Sequence, residues 1–251
     1  MTVKIVPLTQ SLSSNKAFEV AVIFSMRDDW HIYWQNPGDA GLATRFEWQL
    51  PSGFKIVDQK EPVPTRHNDE GIITFIHEKE AIYTFTLLPP DEIQGTSTFS
   101  AEIDWLECKT ICKAGTAQVQ FSLPSGDDSI TANDSLKNIL MRANRKFPLS
   151  DHELEGRVVA RKNQLEYRFK QRTGKELELL SVDFFPYDEL VYDIAKPVHI
   201  KSRFWSTAFV FPLLDDREKE PQRLHGVLVQ RFQTPEGLIT KNSILNQAIQ
   251  P

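Results

Sequence analysis

The sequence predicts an all-β protein made of two sandwich-type domains joined by a short helical linker. Three observations carry this. Short segments of alternating polar and apolar residues recur along the chain, turn-forming residues separate them, and one stretch near the middle has a helical period.

In the first part, Phe18-Glu19-Val20-Ala21-Val22-Ile23-Phe24 reads as a strand, and Ala81 to Leu87 alternates well. Thr98-Phe99-Ser100-Ala101-Glu102-Ile103-Asp104-Trp105 alternates better still, as does Gln118-Val119-Gln120-Phe121-Ser122-Leu123. Turn signals punctuate these runs at Asn36-Pro37-Gly38-Asp39, Pro51-Ser52-Gly53, Pro89-Pro90-Asp91 and Ser125-Gly126-Asp127. A helix is predicted over 129–145, with Leu136, Ile139 and Leu140 on one face and Pro148 as its stop. After it, Leu165 to Phe169 and Gly226 to Val229 are strand-like, while Pro186 marks Asp183 to Tyr187 as a strand end or bulge. The resulting division is 1–124, a linker over 125–148, and 149–251.

Composition bounds the function. Of 251 residues, 40% are hydrophobic and 25% charged, which is a globular balance. Net charge is −5 with the two signs interspersed, so no basic stripe exists for nucleic acid. No apolar run approaches the ~20 residues of a membrane-spanning helix. Met1 to Gln10 has no signal-like stretch, which leaves two readings: a cytosolic protein, or a segment of a longer exported one. No phosphate-binding glycine loop, G-x-S-x-G or H-E-x-x-H occurs. Asp28-Asp29 reads as a solvated turn.

The two cysteines, Cys108 and Cys112, are the chain's only ones and lie four apart. In one straight strand they would be ~13 Å apart at ~3.3 Å per residue, beyond the about 4.4–6.8 Å between Cα atoms that a disulfide spans. A hairpin with the loop Lys109-Thr110-Ile111 would set them opposite each other. Phe99, Ala101, Ile103 and Trp105 form the core face of the preceding strand, and Cys108 has the other parity. If the pleat continues, the sulfurs sit off the main core, where a partner reaches them. Lys109 and Lys113 flank the pair and favour a thiolate, whereas Glu107 opposes it. Three readings stay open: a redox-active pair, a structural disulfide, and inert thiols or a metal site completed by His31, His67 or His77. The staple reading is weak in magnitude. So small a loop removes only roughly 2 kcal/mol of unfolded-state entropy, against ~4–5 for a hundred-residue loop.

Trp30-His31-Ile32-Tyr33-Trp34-Gln35-Asn36-Pro37-Gly38-Asp39-Ala40-Gly41-Leu42 resembles the opening motif of the N-terminal domain of DsbD/ScsB-type thiol–disulfide reductases, and Trp48-Gln49-Leu50-Pro51-Ser52-Gly53-Phe54 follows at the family's spacing. Asp104-Trp105-Leu106-Glu107-Cys108-Lys109-Thr110-Ile111-Cys112 is similar to the family's redox motif, and Leu224-His225-Gly226-Val227-Leu228-Val229 to the closing strand of the second domain. The resemblance implies immunoglobulin-like β-sandwiches, a periplasmic location, and a full-length protein anchored in the bacterial inner membrane. No cofactor is expected, and the metal reading is the weakest because zinc sites usually show two close pairs of ligands. Electrons would come from a thioredoxin-like domain and pass to client disulfide proteins such as a disulfide isomerase. Cys112 would form the mixed disulfide and Cys108 would resolve it. The family's cysteine-shielding loop corresponds to Phe75-Ile76-His77-Glu78-Lys79, so Phe75, His77 and Glu78 are expected as cap residues, with Tyr33, Trp105 and Lys109 in support. The chain departs from the family in having His77 and Lys79 within that loop and Lys113-Ala114-Gly115 after the second cysteine. The rival function is a non-catalytic binding module, chaperone-like or copper-holding, with a disulfide that pins a loop.

Overall fold

A computed structural model describes residues 1–126, 134–150, 156–169, 178–203 and 206–250. The described residues divide into two compact units. The first comprises 1–37, 41–65 and 76–147; the second comprises 38–40, 66–75 and 148–251. The division differs from a simple cut after 124. The helix belongs to the first unit, and two short N-terminal segments belong to the second.

The first part of the chain forms ten strands: β1 (Thr2–Pro7), β2 (Phe18–Ser25), β3 (His31–Gly38), β4 (Arg45–Gln49), β5 (Lys55–Lys60), β6 (Thr65–Asp69), β7 (Ile72–Glu78), β8 (Glu80–Leu88), β9 (Thr96–Cys108) and β10 (Cys112–Pro124). One sheet has the order β1-β2-β8-β5 and the other β10-β9-β3-β7-β6, with β4 also on β9. The two sheets enclose a core of Val20, Val22 and Phe24 from β2, Tyr83, Phe85 and Leu87 from β8, and Phe99, Ala101 and Ile103 from β9. These are alternate residues of each strand, so the period of two seen in the sequence is the period of burial.

Strand β2 is apolar on both faces, and the reason is helix α1 (Asp134–Lys146). Ala21 and Ile23 point away from the main core and pack with Leu8, Ile82, Ile139, Ala143 and Phe147. The helix therefore covers the outer face of its own sheet rather than serving as a free tether. Asp134 in its first turn and Arg145 and Lys146 in its last match the helix dipole, and Arg142 pairs with Glu80 at 3.3 Å. Of the 129–145 stretch predicted to be helical, residues 129–133 lie outside the described residues.

Another difference falls at Asn36-Pro37-Gly38, read as a turn but found within β3. Strand β9 pairs with β3 only at His31 and Ile32 and then with β4.

The second unit is also a sandwich, built from β11 (Leu149–Ser150), β12 (Gly156–Arg161), β13 (Gln164–Phe169), β14 (Glu178–Pro186), β15 (His199–Arg203), β16 (Ser206–Pro212), β17 (Arg223–Thr234) and β18 (Gly237–Gln250). One leaf is β14-β17-β18 and the other β12-β13-β16-β15. The far end of β18 joins them by pairing with β12 at Val158–Ile249. Between the leaves lie Tyr167, Phe184, Phe209, Phe211, Leu228 and Leu245. Among the described residues the fold is thus all-β apart from one helix, with immunoglobulin-like sandwich packing, as the strand pattern predicts.

Ile139→Ala should lower the stability of the first unit by about 2–5 kcal/mol, the range for truncating a packed isoleucine, measured by urea unfolding. A change within about 0.5 kcal/mol, typical of a surface site, would show that the helix is only a tether.

Candidate functional site

Cys108 ends β9 and Cys112 begins β10, and the two stand directly opposite each other in the antiparallel register. Their Cα atoms are 4.1 Å apart and the sulfurs are joined in a disulfide. The loop Lys109-Thr110-Ile111 closes the hairpin, with the Lys109 amide donating to the Ile111 carbonyl at 3.2 Å. Ile111 at the tip is 61% exposed.

The two cysteines differ in access. Cys108 is 3% exposed, whereas Cys112 is exposed. Topology explains this. Strand β10 is the edge of its sheet, and β9 lies one position further in, flanked by β3. Cys108 packs with Tyr33 and Ile76, both buried, and with Leu106. Parity places both sulfurs off the main core, as the alternation predicts. Only Cys112 is open to solvent, however, because a small separate cluster covers Cys108.

Tyr33 is held over this cluster from behind by Gly41. A Cβ at position 41 would stand 2.2 Å from the Tyr33 ring, and the residue's φ of +108° favours glycine. Burial pushes the Tyr33 phenol above its ordinary value, so it remains a protonated O–H. Gly115, opposite Trp105 in the β9–β10 ladder, has the same relation to the Trp105 ring, which a Cβ would meet at 2.3 Å. That contact accounts for glycine after the second cysteine.

The expected cap residues are distributed differently. Neighbouring residues of a strand face opposite ways, and in β7 it is Ile76 that reaches Cys108. Phe75 packs edge-on against Phe185 at 5.1 Å, with the Arg66 guanidinium over its ring. His77 is buried with Nε2 3.2 Å from Glu61 Oε1, and the Tyr83 hydroxyl donates to the same oxygen at 3.1 Å. Burial raises the Glu61 carboxyl above the ordinary carboxylate range, against the opposing effect of His77. Burial and the Glu61 charge together hold the Tyr83 phenol well above its usual value. Phe75 and His77 therefore do not cap the cysteines. Glu78 is exposed. Trp105 belongs to the main core, edge-on to Phe24 at 5.7 Å.

Lys109 lies at the hairpin tip, but its ammonium is 2.8 Å from Asp29, whose carboxyl it holds below the usual range. The Lys113 ammonium sits over the Trp30 ring at 5.4 Å, with the Arg27 guanidinium 4.8 Å from the same ring. The segment Arg27-Asp28-Asp29-Trp30 thus engages both lysines, and the turn read as merely solvated braces the cysteine hairpin. These are long-range contacts, 80 residues apart for Asp29 and Lys109, and nothing local signals them. Ile76 lies between two of the expected cap residues, and strand parity is what separates it from them.

Fold and site together define a class: a double β-sandwich protein whose edge hairpin carries a disulfide with one open sulfur. Residues 3–124 match the family model described as thiol:disulfide interchange protein DsbD, N-terminal, so over this segment the chain is similar to that family. Over nearly its whole length the fold is similar to that of the N-terminal periplasmic domain of ScsB from Proteus mirabilis, with a TM-score of 0.62, 15% identity, and coverage of 97% of this chain and 92% of that one. The reduced N-terminal domain of DsbD from Neisseria meningitidis overlaps at a TM-score of 0.31 with 11% identity, over 50% of this chain and 86% of that one. That likeness is too slight to bear on fold or function. No match occurs among curated protein sequences.

Gly41→Ala should displace Tyr33 and uncover Cys108, at a cost on the order of 1–3 kcal/mol. In the reduced protein the alkylation rate of Cys108 relative to Cys112 should rise, and Tyr33→Ala should act the same way. Ratios unchanged in both variants would mean that Tyr33 does not shield the sulfur.

Proposed function

We propose that this chain is a periplasmic thiol–disulfide exchange module that takes electrons from a thioredoxin-like reductase domain and passes them through Cys108 and Cys112 to client protein disulfides. The observation that carries this reading is the difference in access between the two sulfurs on an edge hairpin. A disulfide serving only as a staple has no use for one open sulfur, whereas exchange requires an attackable one.

The chemistry follows from that geometry. A partner thiolate attacks the Cys112 sulfur, a partner–Cys112 bond forms, and the Cys108–Cys112 bond breaks with the electron pair leaving on Cys108. The partner's second thiol then releases Cys112, leaving a dithiol here and a disulfide on the partner. Towards a client the steps reverse. The Cys112 thiolate attacks the client disulfide, and Cys108, held beside it, attacks Cys112 and frees the reduced client. Two electrons move in each half, and Cys112 makes every external bond. Tyr33, Ile76 and Leu106 keep Cys108 from foreign thiols. In this reading the N-terminal sandwich is the redox domain, the C-terminal sandwich is a separate β domain, and the full-length protein is an enzyme of the protein-disulfide reductase type, anchored in the inner membrane.

Cys108→Ala should accumulate a mixed disulfide with a thioredoxin-like reductase through Cys112, seen as a reducible adduct by mass spectrometry. Cys112→Ala should trap little, because Cys108 is covered; trapping through Cys108 instead would reverse the order of attack. The wild-type pair should have a potential above about −300 mV, the region of structural disulfides. A lower value would support the binding-module alternative.

A further inference from the structure

His31 has no part in the exchange as described, yet its position is close to the reacting atoms. It opens β3 and stands directly opposite Cys108 in the antiparallel pairing. Directly opposed residues place their side chains on one face, with Cβ atoms about 4.5–5.5 Å apart. Cys112 holds the equivalent position on the other side of Cys108. Across three adjacent strands, Cys112, Cys108 and His31 therefore form a row. The His31 ring meets the Tyr33 ring edge-on at 5.3 Å, which braces the imidazole beside the residue that covers Cys108. His31 is only partly buried, so water can supply its proton.

A sulfur leaving as an anion into a covered apolar cluster is poorly solvated, and burial there disfavours the thiolate. The two lysines of the hairpin are already engaged, Lys109 by Asp29 and Lys113 by Trp30. The hydrophobic residues packed with Cys108 are Tyr33, Ile76 and Leu106.

We propose that the His31 imidazole is the acid–base partner of Cys108 in the exchange reaction. This inference rests on the exchange reading and adds to it. When a partner thiolate bonds to Cys112, the Cys108–Cys112 bond breaks and its electron pair goes to the Cys108 sulfur. The imidazolium of His31 gives that sulfur its proton and becomes neutral. In resolution, neutral His31 takes the proton back from the Cys108 thiol, and the resulting thiolate attacks the Cys112 mixed disulfide. The imidazole thus returns to its starting state in each cycle. Other charged groups nearby are the Asp29–Lys109 pair, Lys113 and Arg27 at Trp30, and Glu107, adjacent to Cys108 but of opposite parity. Glu78 follows Ile76 by two on β7 and shares its face by strand alternation.

The test is the pH dependence of disulfide reduction in the whole chain. Wild type, His31→Phe and His31→Gln are reduced by dithiothreitol from about pH 5.5 to about pH 9, and each rate is expressed per dithiothreitol thiolate. The wild-type rate should fall as pH rises and the imidazolium is lost. Both variants should be flat, and slower than wild type at the acid end by about 3- to 30-fold. That range takes one to three pKa units of thiolate stabilisation by a neighbouring cation and a Brønsted dependence of about 0.5. The phenylalanine keeps a ring beside Tyr33 and the glutamine keeps a polar group, so a shared effect separates proton chemistry from packing. Profiles that superimpose on wild type would overturn the role of His31. A wild-type disulfide that dithiothreitol does not reduce would overturn the exchange function itself. Should the variants fail to fold, the His31 titration followed by NMR in the wild type must move when the disulfide is reduced; an identical titration in both states overturns the proposal.

Discussion

The β9–β10 register is the constraint on which the rest of the site depends. The ladder runs from Thr96–Pro124 to Cys108–Cys112 without a break. Because side chains alternate with a period of two, this one alignment sends Phe99, Ala101, Ile103 and Trp105 into the core and Cys108 to the opposite face. A slip of one residue would pull apart the cysteines and expose the core together. The apolar face of β9, buried against β2 and β8, therefore holds the disulfide in place from three to nine residues away. The geometry of the disulfide is maintained by hydrophobic burial, each large side chain contributing about 1.5–3 kcal/mol.

The asymmetry of the pair arises from sheet order rather than from the cysteines' own neighbours. A residue on an edge strand has a neighbouring strand on one side only. Cys112 is there, while Cys108 is hemmed in by β3 and roofed by Tyr33 and Ile76. Tyr33 can lie so low because Gly41 has no side chain where the ring passes. Access, which decides the attacked sulfur in thiol exchange, is thereby separated from thiolate stability. The latter depends on charges placed by other strands and loops.

Those charges are arranged in two groups. At the exposed tip, Lys109 and Lys113 are satisfied by Asp29 and Trp30, which adds little stability at a solvated surface but fixes where the ammonium groups lie. Inside, Glu61, His77 and Tyr83 form a buried polar cluster whose groups meet one another's hydrogen-bonding needs. Burying a carboxyl is costly unless it is paired, and these contacts offset part of that cost while tying β7 to β8. Ile76, the residue between Phe75 and His77, is thus presented to Cys108 by a strand anchored through both of its neighbours.

The sequence by itself determined the fold class, the strands that make the core, and the likelihood of a hairpin around the cysteines, because all three depend on short-range periodicity. The alternation in 98–105 and 118–123 reads directly as burial, and the four-residue spacing admits few geometries. It also carried a resemblance strong enough to point to the DsbD/ScsB family. The tertiary structure alone decided which cysteine is open, which residue of 75–79 covers the other, and what the flanking lysines do. Edge position, the parity of β7 relative to a strand thirty residues away, and the reach of Asp29 across 80 residues depend on how distant segments are brought together. A local pattern cannot encode these relations, because each is a property of two segments at once.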